Sequence, residues 1–166
     1  MIKQIVLAGG CFWGVDRYFS NLKGVSSVTS GYANGNYLNP TYEDVCSNVA
    51  THTEAVLIKY DSNLLTLDVI LNHFFRIIDP FSLNKQGNDI GTQYRSGIYY
   101  ENEEDHKIIL NYINKLQKNY DKKIVVEVEE LKNYSLAEEY HQDYLLKNPN
   151  GYCHINLDLL KLDERK

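Results

Sequence analysis

The order of strand-like and helix-like segments constrains the fold of this chain more than any other feature. Up to residue 131 that order is β-α-β-β-α-β-α-β, and its first six elements match a split βαβ pattern. We therefore predict an α+β fold, a two-layer ferredoxin-like sandwich with an added C-terminal helix and long loops. The predicted strands are 2–8, 25–32, 53–60, 96–100 and 124–131, and the predicted helices are 12–22, 67–78, 103–120 and 136–146.

Length and charge narrow the class of protein. The 166 residues predict one domain, 1–166, with 148–166 as a partly mobile tail. The net charge of −5 and the absence of a basic stripe argue against nucleic acid as a partner. No apolar run approaches the roughly 20 residues of a membrane helix, so we expect no membrane association. The chain opens with a strand pattern where a signal peptide would stand, which favours a cytoplasmic location. We also expect a monomer.

The segment around Cys11 is the strongest candidate for chemistry. Cys11 stands between the predicted first strand and the first helix, with glycines on both sides and the only Trp of the chain, Trp13, two residues on. The N-terminus of a helix favours a thiolate over a thiol, and glycines let a substrate approach the backbone closely. Phe12 and Trp13 can form the wall of an apolar pocket. The alternative is a buried cysteine with aromatic neighbours.

Two further segments carry polar groups that could assist such a nucleophile. Tyr42 follows a Pro-Thr turn, which could direct its phenol into a cleft, although it is one of 14 tyrosines. Glu54 enters an otherwise apolar strand; if buried, it would hold a proton by desolvation and suit a general acid. An exposed strand glutamate is an equal alternative. Cys46 follows an apolar residue, and we expect it to be a small, buried and inert side chain.

The long loop 81–95 and the tail supply the remaining candidates. Asp89, Tyr94 and Arg95 could orient a substrate, or could simply hold the loop in shape. Cys153 follows a Pro-Asn-Gly turn in the tail and could reach a distant sulfur, or could be a surface thiol. The three cysteines form no Cys-x-x-Cys pair, so their spacing does not indicate a metal site.

Four blocks of sequence together resemble the A-type peptide-methionine sulfoxide reductases. They recur in the family's order and spacing across nearly the whole chain. The blocks are Gly-Cys-Phe-Trp-Gly at 10–14, Asn-Pro-Thr-Tyr-Glu-Asp-Val-Cys at 39–46 running to His-Thr-Glu at 52–54, Gln-Gly-Asn-Asp-Ile-Gly-Thr-Gln-Tyr-Arg-Ser at 86–96, and Glu-Glu-Tyr-His-Gln at 138–142 with Asn-Gly-Tyr-Cys at 150–153.

The resemblance implies a reaction and three catalytic roles. Cys11 matches the nucleophile, Glu54 the acid that protonates the sulfoxide oxygen, and Cys153 the resolving cysteine. Methionine S-sulfoxide, in proteins or free, would be reduced to methionine while Cys11 becomes a sulfenic acid, which then condenses with Cys153 to a disulfide. Thioredoxin or another external dithiol would reduce that disulfide, and no metal or bound cofactor is implied. The biological role would be repair of oxidised proteins and peptides.

The resemblance also implies a substrate pocket. Tyr42 and Tyr94 match the phenols that bind the sulfoxide oxygen, and Asp89 matches a polar residue beside them. Phe12 and Trp13 match the wall that holds the substrate methyl group.

Two departures from the family pattern affect what we expect. Asn48 and Thr51 stand at positions that are often glycine, so the loop there is expected to differ. The tail lacks a second resolving cysteine, which predicts a relay with one resolving step.

Two other classes of function remain open from the residues alone. A thiol peroxidase also passes from sulfenic acid to disulfide, but it would need a cationic group beside Cys11, and none is adjacent in sequence. A redox-insensitive module that binds apolar side chains would leave the cysteines incidental.

Overall fold

The computed structural model describes all of residues 1–166 and contains a six-stranded mixed sheet with helices, which confirms the α+β class. The strands are β1 (Ile2–Ala8), β2 (Val25–Ala33), β3 (Thr53–Asp61), β4 (Lys85–Gln86), β5 (Asp89–Ile90), β6 (Gly97–Tyr100), β7 (Glu127–Glu130) and β8 (Ser135–Leu136). The α-helices are α1 (Phe12–Ser20), α2 (Tyr42–Cys46), α3 (Leu67–Ile77), α4 (Glu103–Gln117) and α5 (Tyr144–Lys147).

The sheet has the strand order β7-β6-β1-β3-β2-β8. Its four inner members, β6, β1, β3 and β2, are antiparallel to their neighbours within that group, an order that fits the split βαβ pattern. Two further strands extend the edges, β7 parallel to β6 and β8 antiparallel to β2. The sheet is therefore wider than the four strands of the expected sandwich.

Alternation along β1 separates the two faces of the sheet, because successive strand side chains point to opposite sides. Ile5 and Leu7 belong to the main core with residues of α1, α3 and α4. Val6 and Ala8 belong to a smaller cluster on the other face, where Tyr134 packs. Both faces of the central strands are thus covered, and the end of β1 delivers Cys11 to the start of α1.

The predicted helix over 136–146 is wrong. The segment contains β8, a 3-10 turn at Glu139–His141 and the short helix α5. The side-chain amide of Gln142 accepts from the Ser30 N–H at 2.8 Å and donates to the Ser30 carbonyl at 2.8 Å, so it continues the β2 edge where β8 ends. Asp143 then takes a left-handed φ of 50°. These tertiary bonds outweigh the local helical pattern.

The other predicted elements are present with shifted ends. The last predicted strand, 124–131, is shortened to β7, and the predicted loop 81–95 contains the hairpin β4–β5 and a 3-10 turn at Thr92–Tyr94. No helix is long and apolar enough to span a lipid bilayer.

The tail lies along α1 and α3. Leu160 is buried, and Arg165 forms an isolated antiparallel β-bridge with Leu22. Arg76 of α3 binds the Glu164 carboxylate through both terminal nitrogens, at 2.8 and 3.2 Å. Partial mobility of 148–166 stays a prediction.

Candidate active site

Cys11 is the N-cap residue of α1, at the turn where β1 ends. Gly10 before it has a φ of 83°, and a Cβ there would lie 2.7 Å from His154 Nε2. Glycine is therefore required both by the backbone conformation and by the space. Cys11 is only 8 % exposed, so the residue is almost entirely withdrawn from solvent.

Glu54 lies beside Cys11, on β3. Glu54 is 1 % exposed, and its Oε1 accepts a hydrogen bond from the Phe12 N–H at 3.2 Å. Burial raises the pKa of Glu54 to about 8, despite the hydrogen bonds from Phe12 and Cys11. Oε2 is buried without a hydrogen-bond partner. The structure therefore decides between the two sequence interpretations in favour of a buried, protonated carboxyl.

The surroundings of the Cys11 sulfur contradict the expected thiolate. Burial raises the pKa of the Cys11 thiol well above its ordinary value, and the hydrogen bond from the Trp13 main chain only partly opposes this effect. The helix N-terminus is thus outweighed by the loss of solvent around the sulfur. The resting site pairs a neutral thiol with a neutral carboxyl.

Two phenols lie near this pair, Tyr42 near Glu54 and Tyr94 near both Glu54 and Cys11. Thr41 caps α2 and accepts from the Asp44 N–H, which fixes the orientation of Tyr42 at the first helical position. Burial is the main cause that raises the pKa of both Tyr42 and Tyr94. Both phenols therefore stay protonated at neutral pH and can donate hydrogen bonds.

An aromatic wall closes one side of the site. The Trp13 ring stacks on Tyr144 with centroids 3.8 Å apart and an interplanar angle of 10°. Its indole N–H donates to His141 Nδ1 at 3.1 Å, and the His141 ring lies 5.0 Å from that of Phe12. Trp13 is thereby fixed in position and in rotation.

Asp89 lies at the start of β5, in the hairpin after Gln86. It accepts from the Tyr152 hydroxyl at 3.2 Å, and its Oδ2 lies 3.8 Å from His154 Nδ1. The Asp89 carboxylate also contributes to the raised pKa values of Glu54 and Cys11, so it is close to both. It therefore belongs to the site, and Tyr152 and His154 link it to the tail.

Cys153 lies against α1 one turn beyond Cys11. A Cβ on Gly14 would be 3.0 Å from the Cys153 sulfur, and the thiol bonds to the Ile155 carbonyl at 3.3 Å. Burial raises the pKa of Cys153. The three cysteines are free, and no three His, Cys, Asp or Glu side chains are grouped to hold a metal ion.

The expectation that Cys46 is buried is wrong. Val45 takes the inward position of the short helix α2, and Cys46, the next residue, is exposed. Its sulfur is nevertheless partly desolvated, which raises the pKa of the thiol although Tyr42 hydrogen-bonds to it.

Arg95 holds the loops around the site, rather than facing the reactive groups. Its guanidinium donates to the carbonyls of Asn34, Thr51 and Thr92 at 2.9–3.1 Å. Asn48, at a position where the family often has glycine, adopts a left-handed φ of 64° that asparagine tolerates.

Sequence reasoning missed several residues of the site. Glu138 accepts from the Tyr32 hydroxyl at 2.8 Å and from the Tyr42 N–H at 3.1 Å, so it orients the phenol-bearing helix. His141 and Tyr144 support Trp13. The sequence block at 138–142 was a signal for Glu138 and His141, whereas Tyr144 and Tyr32 stand in segments without a distinguishing pattern.

Comparison with known proteins agrees with this geometry. The family model "Peptide methionine sulfoxide reductase" matches residues 3–165. "Peptide methionine sulfoxide reductase MsrA" of Ureaplasma urealyticum serovar 10 is 56 % identical over 161 residues, covering 97 % of this chain and 98 % of that protein. The MsrA of Clostridium perfringens strain 13 is 58 % identical over 157 residues, covering 95 % and 100 %.

Solved structures agree as well. Reduced Mxr1 from Saccharomyces cerevisiae superposes with a TM-score of 0.84 at 36 % identity, covering 92 % of this chain and 88 % of that one. The same yeast protein, in complex with Trx2, gives a TM-score of 0.61 at 28 % identity over 86 % of this chain and 84 % of that one. This chain therefore belongs to the A-type (MsrA) peptide methionine sulfoxide reductase family, whose members reduce methionine sulfoxide.

Proposed function

We propose that this enzyme reduces methionine sulfoxide by attack of the Cys11 sulfur on the sulfoxide sulfur, with Glu54 as the proton donor. The observation that carries the proposal is the buried Glu54 carboxyl, with its pKa raised to about 8, beside the cysteine at the start of α1. A neutral carboxyl is needed because a sulfoxide sulfur becomes electrophilic only when its oxygen is protonated.

The proton movements balance without an external acid or base. Glu54 gives its proton to the sulfoxide oxygen while the Cys11 sulfur bonds to the substrate sulfur. The carboxylate that results takes the proton of the Cys11 thiol. Transfer of the hydroxyl oxygen from the substrate sulfur to Cys11 then breaks the substrate S–O bond and the bond between the two sulfurs, which releases methionine and leaves a Cys11 sulfenic acid.

The rest of the site holds the substrate. Tyr42 and Tyr94 donate hydrogen bonds to the sulfoxide oxygen, beside Asp89, while Phe12 and Trp13 contact the methyl group. Because the oxygen, the methyl group and the attacking sulfur are all fixed, one epimer at sulfur fits, and we propose the S form. Peptide-bound and free methionine sulfoxide both present these groups.

Cys153 resolves the sulfenic acid in this proposal. Its thiol attacks the Cys11 sulfur, an S–S bond forms, the S–O bond breaks, and water leaves with the thiol proton. An external dithiol then reduces the disulfide by exchange. We propose thioredoxin for this role because yeast Mxr1, a structural relative, has been solved with Trx2. No bound cofactor takes part in these steps.

A thiol peroxidase fits this geometry poorly. Peroxidatic chemistry needs a thiolate, and the groups that shift the pKa of Cys11 include Glu54 and Asp89 but no lysine or arginine.

A thioredoxin-coupled assay of NADPH consumption tests the proposal with methionine sulfoxide, with hydrogen peroxide and with neither. We expect consumption with the sulfoxide alone and none in Cys11→Ser. Equal rates with peroxide, or substantial activity in Cys11→Ser, would overturn the proposal.

We further propose a cytoplasmic monomer; three unbridged cysteines suit a reducing compartment, and light scattering checks the oligomeric state.

A further inference from the structure

His154 follows Cys153 directly and is not among the residues proposed above to contact the sulfoxide. Its side chain is 3 % exposed, and Nε2 lies 2.7 Å from the carbonyl oxygen of Gly9. A carbonyl accepts hydrogen bonds, so Nε2 carries the proton and donates it to Gly9. The residue after the resolving cysteine is therefore tied to the turn that presents the nucleophile.

Gly10 makes room for this imidazole, because a Cβ there would lie 2.7 Å from Nε2. On the other side the hairpin reaches ordinary contact distance, since a Cβ on Gly87 would lie 3.5 Å from the Cβ of His154. The ring thus fits between the Cys11 turn and the hairpin that carries Asp89.

The attachment depends on one hydrogen bond. The other ring nitrogen, Nδ1, is buried without a hydrogen-bond partner, and its neighbour, the Asp89 Oδ2, is 3.8 Å away. Loss of the bond to Gly9 would leave His154 without a polar contact to the Cys11 turn.

This attachment limits how far Cys153 can move from Cys11. Neighbouring Cα atoms are 3.8 Å apart, so Cys153 stays next to the anchored His154. A disulfide requires Cα atoms about 4.4–6.8 Å apart. In the structure the Cys153 thiol instead bonds to the Ile155 carbonyl, so it must rotate away from that partner before it can attack.

We propose that His154 is a positioning residue for the resolving step: anchored on the Gly9 carbonyl, it keeps Cys153 within reach of Cys11 while the thiol rotates onto the sulfenic acid. The inference rests on the proposed roles of Cys11 and Cys153. It assigns His154 no part in the reduction of the sulfoxide, because that step is complete before Cys153 acts.

Single-turnover chemistry tests the inference. The reduced enzyme is mixed with one equivalent of N-acetylmethionine sulfoxide, and released N-acetylmethionine and the Cys11–Cys153 disulfide are followed in acid-quenched samples by mass spectrometry. In His154→Ala we expect methionine release at the wild-type rate and disulfide formation slower by about tenfold or more, the scale that misplacement of a reacting group produces. The Cys11 sulfenic acid should accumulate and be trapped by dimedone.

Two variants and a second reductant separate positioning from general damage. His154→Gln keeps an amide N–H for the Gly9 carbonyl and should restore most of the rate. His73→Ala removes another buried histidine, which bonds to Tyr18 at 2.7 Å near the tail, and should change neither step. Dithiothreitol, which attacks the sulfenic acid directly, should support near-normal turnover of His154→Ala, whereas thioredoxin should not.

The outcomes distinguish the inference from the proposed function. If the wild-type enzyme forms no Cys11–Cys153 disulfide, the proposed relay fails. If it does, but His154→Ala forms it at the wild-type rate, or His73→Ala is slowed equally, the positioning role is wrong. Slower methionine release in His154→Ala would also contradict it, because the residue would then act on the first step.

Discussion

Glu54 Oε1 accepts a hydrogen bond from the Phe12 N–H at 3.2 Å, so a carboxyl on β3 caps the helix that begins with the nucleophile's neighbour. The N–H groups of the first helical turn have no partner within the helix, and a carboxylate oxygen satisfies one of them. Its second oxygen, Oε2, remains buried and unpartnered. The hydrogen bond therefore orients the carboxyl and leaves one oxygen for a proton and a substrate.

We predict that Glu54→Gln slows the first step by roughly 10²-fold or more, the usual scale for a lost general acid. Because the pKa of Glu54 is raised to about 8, the wild-type rate should fall as the pH rises through that value, whereas the residual rate of Glu54→Gln should not. Rapid-quench measurement of methionine release against pH checks both. A loss of only a few fold would reduce Glu54 to a hydrogen-bond donor.

The same carboxyl predicts a stability effect. Its pKa is higher in the folded state than the ordinary 4.5, so the folded state binds more protons between pH 4.5 and about 8. The free energy of unfolding of the wild type, relative to that of Glu54→Gln, should therefore be greatest below pH 4.5. This difference should decrease as the pH rises from 4.5 through about 8. Urea unfolding of both proteins across that range measures the difference, and a constant difference would contradict the assignment.

Trp13 provides a spectroscopic prediction because it is the only tryptophan. Tyr144→Ala removes its stacking partner, an interaction worth about 0.5–1.5 kcal/mol, so we expect a severalfold increase in KM, a smaller change in kcat and a shifted emission spectrum. Tyr112, stacked on Phe75 away from Trp13, gives the matched control Tyr112→Ala, which should leave the emission unchanged. Unaltered emission in Tyr144→Ala would contradict the stacked arrangement.

The sequence predicted most strands and helices but left open whether Glu54 is buried or exposed. Alternation distinguishes inside from outside only where one face of a strand meets solvent. Both faces of β3 are covered near its start, and Thr53, Glu54, Ala55 and Val56 are all buried. The pattern there cannot show which side a carboxyl faces.

Cys46 and Gln142 show a second limit of prediction from the local sequence pattern. The helix α2 has five residues, too few to establish a helical phase, so the burial of Val45 gave no information about Cys46. The segment after residue 136 has a helical pattern, but Gln142 bonds to Ser30, 112 positions away in sequence. Contacts at such separation are not encoded in local periodicity, whereas the motif around Cys11 is local and was predicted correctly as a strand-to-helix turn.

The chirality of the sulfoxide sulfur gives a further prediction for the reaction. With Phe12 and Trp13 at the methyl group and the phenols of Tyr42 and Tyr94 at the oxygen, inversion at sulfur would exchange an apolar and a polar partner. Racemic N-acetylmethionine sulfoxide should therefore stop at half conversion, with the R form left, as chiral chromatography would show. Complete conversion by the pure enzyme would refute the two-point arrangement.

The tail contact between Arg76 and Glu164 predicts a pH-dependent contribution to stability. The hydrogen bonds from Arg76 are the main cause that lowers the pKa of Glu164 to about 2. This contribution is present above pH 4.5 and is lost as the pH falls towards 2. Glu164→Gln should cost about 1 kcal/mol at neutral pH, the upper end for a partly exposed pair, because the contact is bidentate. Equal stability of the two proteins in urea at pH 7 would show that the pair contributes nothing.

The cysteine relay gives the last prediction, since Cys153 packs one turn of α1 from Cys11 whereas Cys46 lies exposed on α2. Cys153→Ser should still release one methionine per enzyme, because reduction of the sulfoxide precedes resolution, and should then stop as a sulfenic acid that thioredoxin recycles poorly. Cys46→Ala should turn over nearly normally. Disulfide mapping after one equivalent of sulfoxide should find the Cys11–Cys153 bridge. A dominant Cys11–Cys46 bridge, or normal thioredoxin-driven turnover in Cys153→Ser, would overturn the relay and make Cys46 the resolving residue to test next.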